Sequence, residues 1–489
     1  MKKRVGVFVA LGLSTVLSMS ALVGCGGKSS TTTTGTTATN AKEVTKPEKI
    51  SFYCNVGLTL DQGAGKINEE FKKKTGIDLD YTPQSNNEYN QNLELAFASK
   101  KVPDAFNLAG EDKLPLYASQ GALADLTELV KAAGLITEDN KSSWDSVTVN
   151  GKIYGVPWEI NTGTISYVRK DWLDKAGLKA PTNYEEYINM LRAFKKIPEC
   201  KTPMTAAKLY EDGAVTYLKE FYQDATPEFT KVNDKWVDGM QQDNFKGALQ
   251  RLQDAYKEGL IDTEVVTNTT SACRDKFYAG SVGAINYWAG SWNVMLEDRL
   301  KANVKDAQLL AIPAIKETKY NSRVPAVTCI SKDCKNIEGV FKYFVQYMHD
   351  GGEGQALFEY GVEGVHWKQD GDYVAMLPSL NKPTEKTDKS FITSYVSLTP
   401  MKDKTKNVKL DERINTSNAI LKKDSVQQLA RPVSKKLTKI EADLKKLKAK
   451  VISQVVMGKA TPEDGMKTYA AEAKNLGVDE VVTEMNSNK

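Results

Sequence analysis

The chain has 489 residues, 41% of them hydrophobic and 26% charged, enough apolar material for more than one core. Its 66 basic and 62 acidic residues are interspersed and leave a formal charge of +4, which is no nucleic-acid footprint. Two histidines exclude a histidine-rich zinc site, and no spacing of acidic residues singles out a catalytic pair.

At the amino terminus Lys2, Lys3 and Arg4 precede an apolar run from Val5 to Ala21, too short and too weakly flanked to span a membrane and suited to a secretory signal. The run ends in Leu22-Val23-Gly24-Cys25, which resembles the lipobox of bacterial lipoproteins. That resemblance implies a diacylglyceryl group on Cys25, loss of residues 1–24, and a chain anchored by lipid to the cell membrane on its extracellular face. Residues 25–46 hold mostly Gly, Ser and Thr, which cannot offset their own ordering entropy, so a flexible tether is expected. About twenty such residues reach roughly 25 Å. The other cysteines, Cys54, Cys200, Cys273, Cys329 and Cys334, are odd in number, so they cannot form a complete disulfide framework. Cys329 and Cys334 either pair across a turn or stay buried thiols.

The body opens with a β-prone run, Lys49 to Cys54, followed by a helical segment with Ile67 and Phe71 on one face. Lys72, Lys73 and Lys74 suit the negative end of that helix, and Gly76 suits a left-handed cap. A second strand is expected at Ile77–Tyr81, a second helix with Tyr89, Leu93 and Phe97 on one face, and a third strand at Asp104–Leu108. Strand and helix in alternation predict an α/β fold with a parallel, doubly wound sheet. Farther on, Thr182 and Glu185 form a capping box for a helix that buries Tyr184, Ile188 and Leu191. Val340, Phe341, Phe344 and Met348 make another helical stripe. Leu437, Ile440, Leu444, Leu447, Val451 and Val455 mark a long helix packed on a lobe with a solvated basic face.

Four blocks carry a wider resemblance. They are Val102-Pro103-Asp104-Ala105 with Gly121–Thr127; Asn150–Pro157 with Tyr167–Leu173; Phe277–Ala284 leading to Trp288 and Trp292; and Tyr360–Trp367. Together they resemble the extracellular solute-binding proteins of family 1, the group that includes maltose-binding protein. The resemblance implies two periplasmic-binding-protein-like α/β lobes, a ligand cleft between them and a hinge of crossing segments. Residues 47–157 with about 324–385 are expected in the first lobe, and 158–323 with about 386–489 in the second. It further implies a monomer that captures a sugar or oligosaccharide and delivers it to the permease subunits of an ABC importer. No catalytic residue, cofactor or metal is expected. The calcium loop of some members is replaced here by Ala193–Cys200, which lacks the alternating Asp/Asn ligands.

A sugar offers C–H faces to aromatic rings and hydroxyls to polar edges, so Trp158, Trp288, Trp292 and Trp367 are the candidate platforms. Glu159 and Asn161 adjoin the first of these. Tyr53 and Asn55 end the first strand, where ligands collect in open parallel sheets. Each of these residues has an ordinary alternative in core packing or an exposed loop. Asp104 and His366 read as structural. Two other functions stay open: a secreted glycosidase, or an adhesion or scaffolding lipoprotein.

Overall fold

Alternation along the first strand, β1 (Lys49–Cys54), puts Ile50, Phe52 and Cys54 inward. The computed structural model describes residues 43–54, 64–83, 88–158, 162–210, 217–377 and 401–487. Cys25, the expected signal and the tether up to residue 42 lie outside these residues, as do Asn55, Glu159 and Asn161. Helix α1 (Ala64–Thr75) buries Ile67 and Phe71, and Gly76 closes it at φ 74° with its N–H on the Lys72 carbonyl. Then come β2 (Asp78–Pro83), α2 (Tyr89–Ala98), β3 (Ala105–Leu108), α3 (Lys113–Ser119) and β4 (Gly155–Pro157). Asp104 accepts hydrogen bonds from the Ser51 N–H (2.9 Å) and hydroxyl (2.8 Å), a structural brace between β1 and β3.

The chain next builds a second lobe from β5 (Thr164–Arg169), α4 (Tyr184–Phe194), β6 (Thr202–Thr205), α5 (Asp243–Lys257), α6 (Thr270–Tyr278), β7 (Val282–Trp288), α7 (Ser291–Asn303) and β8 (Leu309–Ile312). It returns through β9 (Tyr320–Ser322) to β10 (Val327–Ile330) and a helical run, Ile337–Val340, a π-helical turn at Phe341–Val345, and Gln346–Met348. Helix α8 (Glu412–Asp424) packs on α7, and β11 (Ser425–Gln427) pairs with β9. Helices α9 (Lys435–Val456), α10 (Pro462–Leu476) and α11 (Val478–Ser487) then complete the second lobe.

The first sheet has the order β2-β1-β3-β10-β4 and the second β8-β5-β7-β6. The expected parallel arrangement holds among β1, β2 and β3, but β10 runs antiparallel to both β3 and β4. In the second sheet β5 is the reversed strand, antiparallel to β7 and β8. Both exceptions have one cause. β10 and β5 are the strands by which the chain enters a lobe from the other one, so they start at the crossing where their neighbours end.

Aromatic rings organise the first core: Phe52 and Phe71 meet Phe344 edge-on at 5.0 and 5.9 Å, and Phe358 meets Phe71 at 5.7 Å. Val340, Phe341, Phe344 and Met348 are all buried there. In the second lobe α9 buries its whole apolar stripe against α5 and α10. Its first turn is capped by Ser434, whose Oγ accepts from the Leu437 N–H at 2.9 Å.

Some expectations shift. The cap of α4 is Asn183, which accepts from the Glu186 N–H, while the Glu186 carboxylate accepts from the N–H and hydroxyl of Thr182. The box thus sits one residue later than expected, because Tyr184 is the first helical residue. Phe97 is only partly buried, but it shares a cluster with Tyr89 and Leu93, meeting Phe106 of β3 edge-on and lying tilted against Tyr117. Met401 and Val408 pack with Tyr360 and Trp367 on the first lobe, so these two residues belong there and not to the second lobe as expected. Cys329, on β10, and Cys334 are both free thiols.

Candidate functional site

Since β10 and β5 start at the crossing, the carboxyl ends of β1, β3, β6 and β7 gather there. Val327 stands opposite Leu108 in the first lobe, and Trp288 opposite Thr164 in the second. Between them the crossing segments form a narrow ribbon. The Ala289 N–H bonds to the Gly163 carbonyl (3.0 Å), Gly163 stands against Ser322, and Ser322 pairs with Gln427. Gly163 is required by this approach: a Cβ there would lie 2.1 Å from the Asn321 carbonyl oxygen. Three crossings this thin can bend without breaking either core.

The second lobe ends in an aromatic edge. Trp288 is half-buried, with the Arg323 guanidinium 5.7 Å from its ring centre. Tyr287 points to the opposite face, where Trp292, in the first turn of α7, meets it edge-on at 4.8 Å and Tyr217 stacks at 6.2 Å. Arg274 lies over Trp292 at 4.8 Å and over Tyr287 at 5.6 Å. Its helix, α6, leads by a tight turn into the start of β7, so the start of α6 lies at the end of that strand. The helix is pinned there by Asp262, which accepts from Thr205 (2.8 Å), Asn268 (2.9 Å) and Lys276 (2.7 Å). These hydrogen bonds hold the Asp262 carboxyl below its ordinary range even though burial pushes it up.

Behind the aromatic edge a buried network ties sheet to hinge. Glu220, fully buried, accepts from the Ser166 hydroxyl (2.5 Å) and from Asn286 Nδ2 (3.2 Å). The Tyr320 hydroxyl, on hinge strand β9, accepts from the Ser166 N–H (3.2 Å) and donates to the Ile312 carbonyl (3.0 Å). Burial raises the Glu220 carboxyl above its usual range. No motif in the sequence marks Glu220, Arg274 or Arg323; each acquires its place only from long-range packing.

Of the tryptophans expected at the cleft, Trp288 and Trp292 come to one sheet end. Trp158 does not join them: it is 4% exposed in the first core, and its indole N–H donates to the Thr328 hydroxyl at 2.5 Å. Trp367 belongs to a satellite core with Tyr360 and Val374, its N–H donated to the Gly361 carbonyl at 2.8 Å. Both are filled and satisfied where they stand. Tyr53 is half-buried at the end of β1 beside Phe106 and Leu108. His366 is buried and accepts from the Val362 N–H, a structural role. A hollow of about 910 Å³ lies between α3, residues 148–154, the third crossing and the start of α9. It reaches the chain after β11, at Ala430 to Val433, and Tyr154 is its one aromatic among the described residues.

A family model described as bacterial extracellular solute-binding protein matches residues 60–349. Among curated relatives, a carbohydrate ABC transporter substrate-binding protein of Streptococcus pneumoniae is 26% identical over 331 residues, 63% of each chain. A diacetylchitobiose binding protein of Streptomyces coelicolor is 28% identical over 145 residues, 30% of this chain and 33% of its own. The alignments with the first relatives thus span from a third to about two thirds of their length. Among solved structures, a solute-binding protein of Bifidobacterium longum infantis superposes with a TM-score of 0.67 at 15% identity, covering 91% of this chain and 98% of its own. An alginate-binding protein does so with a TM-score of 0.63 at 19% identity and the same coverage. These two share the fold. With the family model covering more than half its length, this chain belongs to the bacterial extracellular solute-binding proteins.

Proposed function

We propose that the chain is the capture subunit of an ABC importer, that its cargo is an oligosaccharide, and that a lipid on Cys25 holds it at the outer face of the cell membrane. The reading rests on one observation above all: two α/β cores joined by a thin ribbon, with the half-buried Trp288 and Trp292 at the edge where strands from both lobes end. A sugar ring laid on such an edge buries its C–H face while its hydroxyls reach polar groups on both lobes. Contacts to both lobes favour the closed arrangement, and closure is the signal a permease reads. The names of the relatives support the sugar class, and the lipobox at Cys25 supports the anchor. A monomer suffices, since both lobes come from one chain.

The test is thermal unfolding of the purified protein against oligosaccharides, peptides and vitamins. A bound ligand at a hundred times its Kd stabilises the folded state by about 2.7 kcal/mol. Stabilisation by one sugar class, with the sugar recovered uncut, is the expected result. Cleavage of that sugar would transfer the chain to the glycosidases, and a response to peptides alone would remove the sugar.

A further inference from the structure

We infer that the cargo is an acidic oligosaccharide, one whose carboxylates are gripped by Arg274 and Arg323; this rests on the sugar-binding reading above and narrows it. Most other arginines are held by carboxylates. Arg169 is held by Asp171, Arg192 by Glu258, Arg413 by Asp411, Glu297 and Asp298, and Arg431 by Glu441. Arg251 has no such carboxylate among the described residues; it lies over Tyr184 and donates to the Phe221 and Tyr222 carbonyls. Arg274 and Arg323 likewise have no carboxylate within ion-pair distance among the described residues, and what sets them apart from Arg251 is that the aromatic rings beneath them stand at the candidate cleft. The Arg274 Nε is buried without a hydrogen-bond partner among the described residues, and its side chain donates a long hydrogen bond (3.3 Å) to the Ser271 hydroxyl and reaches the Tyr287 hydroxyl.

Stacking on an aromatic face has a particular effect on a guanidinium. It satisfies the cation through the ring's negative face and holds the plane flat, leaving the N–H edge free for a planar, bidentate acceptor. A carboxylate matches that edge; a lone hydroxyl fills half of it. The rings carry a second consequence. With an arginine over one face of Trp288 and of Trp292, each ring has only its remaining surface to offer a sugar, so recognition shifts from stacking toward charge. The two arginines also differ in attachment. Arg274 belongs to the second lobe, whereas Arg323 stands on the crossing segment itself, its N–H on the Thr162 carbonyl at 2.8 Å. A ligand with carboxylates on successive rings would therefore tie a lobe to its hinge, which couples charge recognition to closure.

The experiment is calorimetry on the purified protein with oligouronates of two to four rings, of galacturonate, mannuronate and glucuronate type, each beside its carboxyl-reduced, neutral counterpart. At least one uronate is expected to bind roughly tenfold or more tighter than its reduced form, as a charge-assisted hydrogen bond requires. Its affinity is expected to fall as salt rises, and Arg323→Gln and Arg274→Gln should each bring it down toward that of the reduced form. Arg274 also packs on two rings, so should Arg274→Gln unfold, Arg323→Gln and the comparison of acidic with neutral sugars decide. Equal binding of acid and reduced forms overturns the inference, as do a preference for sulfated over carboxylated sugars and a uronate preference that survives both substitutions. Neutral oligosaccharides binding alone would sink the acid preference and leave the sugar reading standing; binding of peptides alone would sink both.

Discussion

Trp158 and Trp288 invite comparison, because each ends a strand at the crossing and each looked equally suited to hold a sugar. Their surroundings separate them. Trp158 follows β4 into the first core, where Thr328 takes its only polar atom. Trp288 ends β7 half-buried, and a cation lies over its face. Both partner strands, β10 and β5, start beside these tryptophans, so strand pairing does not separate them; what does is that core side chains enclose Trp158 while Trp288 stays half-buried.

Trp158→Ala should cost about 3–5 kcal/mol, since it opens a cavity and strands the Thr328 hydroxyl. Trp288→Ala should cost under about 1 kcal/mol in stability and lower affinity for the bound sugar tenfold or more. Urea unfolding and calorimetry on the two variants check this, and similar stability losses in both would undo the distinction. A buried group in the first lobe sharpens it through pH. Burial holds the His349 imidazole down to about 3, well below its ordinary 6.5. Below about pH 6.5 the unfolded chain takes up a proton that the folded one refuses until about pH 3. Stability is therefore lost as pH falls through that window, by at most roughly 3 kcal/mol at pH 4. His349→Leu should flatten this loss while leaving the response above pH 7 unchanged; an unaltered acid limb would rule the residue out. The smallest effect is expected at the cap of α9, where Ser434→Ala should cost about 1 kcal/mol by chemical unfolding with no change in sugar affinity.

Much of this architecture was legible from periodicity. β1, α1 and α9 fall where their apolar spacing puts them, because one buried face dictates the pattern of each. The cap of α4 was misread by one residue, since Thr182 and Asn183 both carry capping side chains and only the observed helix start decides between them. Strand direction was not legible. Nothing within Val327–Ile330 says that it enters from the other lobe, and that reversal is what brings the strand ends together. The site suffered most. Half of the tryptophans expected to hold ligand are core, and the arginines that stand on the other half gave no local signal, because a stacked guanidinium is defined by partners dozens of residues away.

The late return of the chain to its second lobe also bears on how the molecule is made. Gln253 on α5 donates to the carbonyls of Val455 and Ala460, across 202 and 207 residues, and Trp236 exchanges two hydrogen bonds with Asn486 across 250. The wall that covers α5 is therefore synthesised long after it, and the second core is not finished until α9, α10 and α11 have been made. Contacts of such long range are slow to form, because the loop must close before any of them is made. A core whose closing wall comes so late in the chain stays open to solvent until that wall is made.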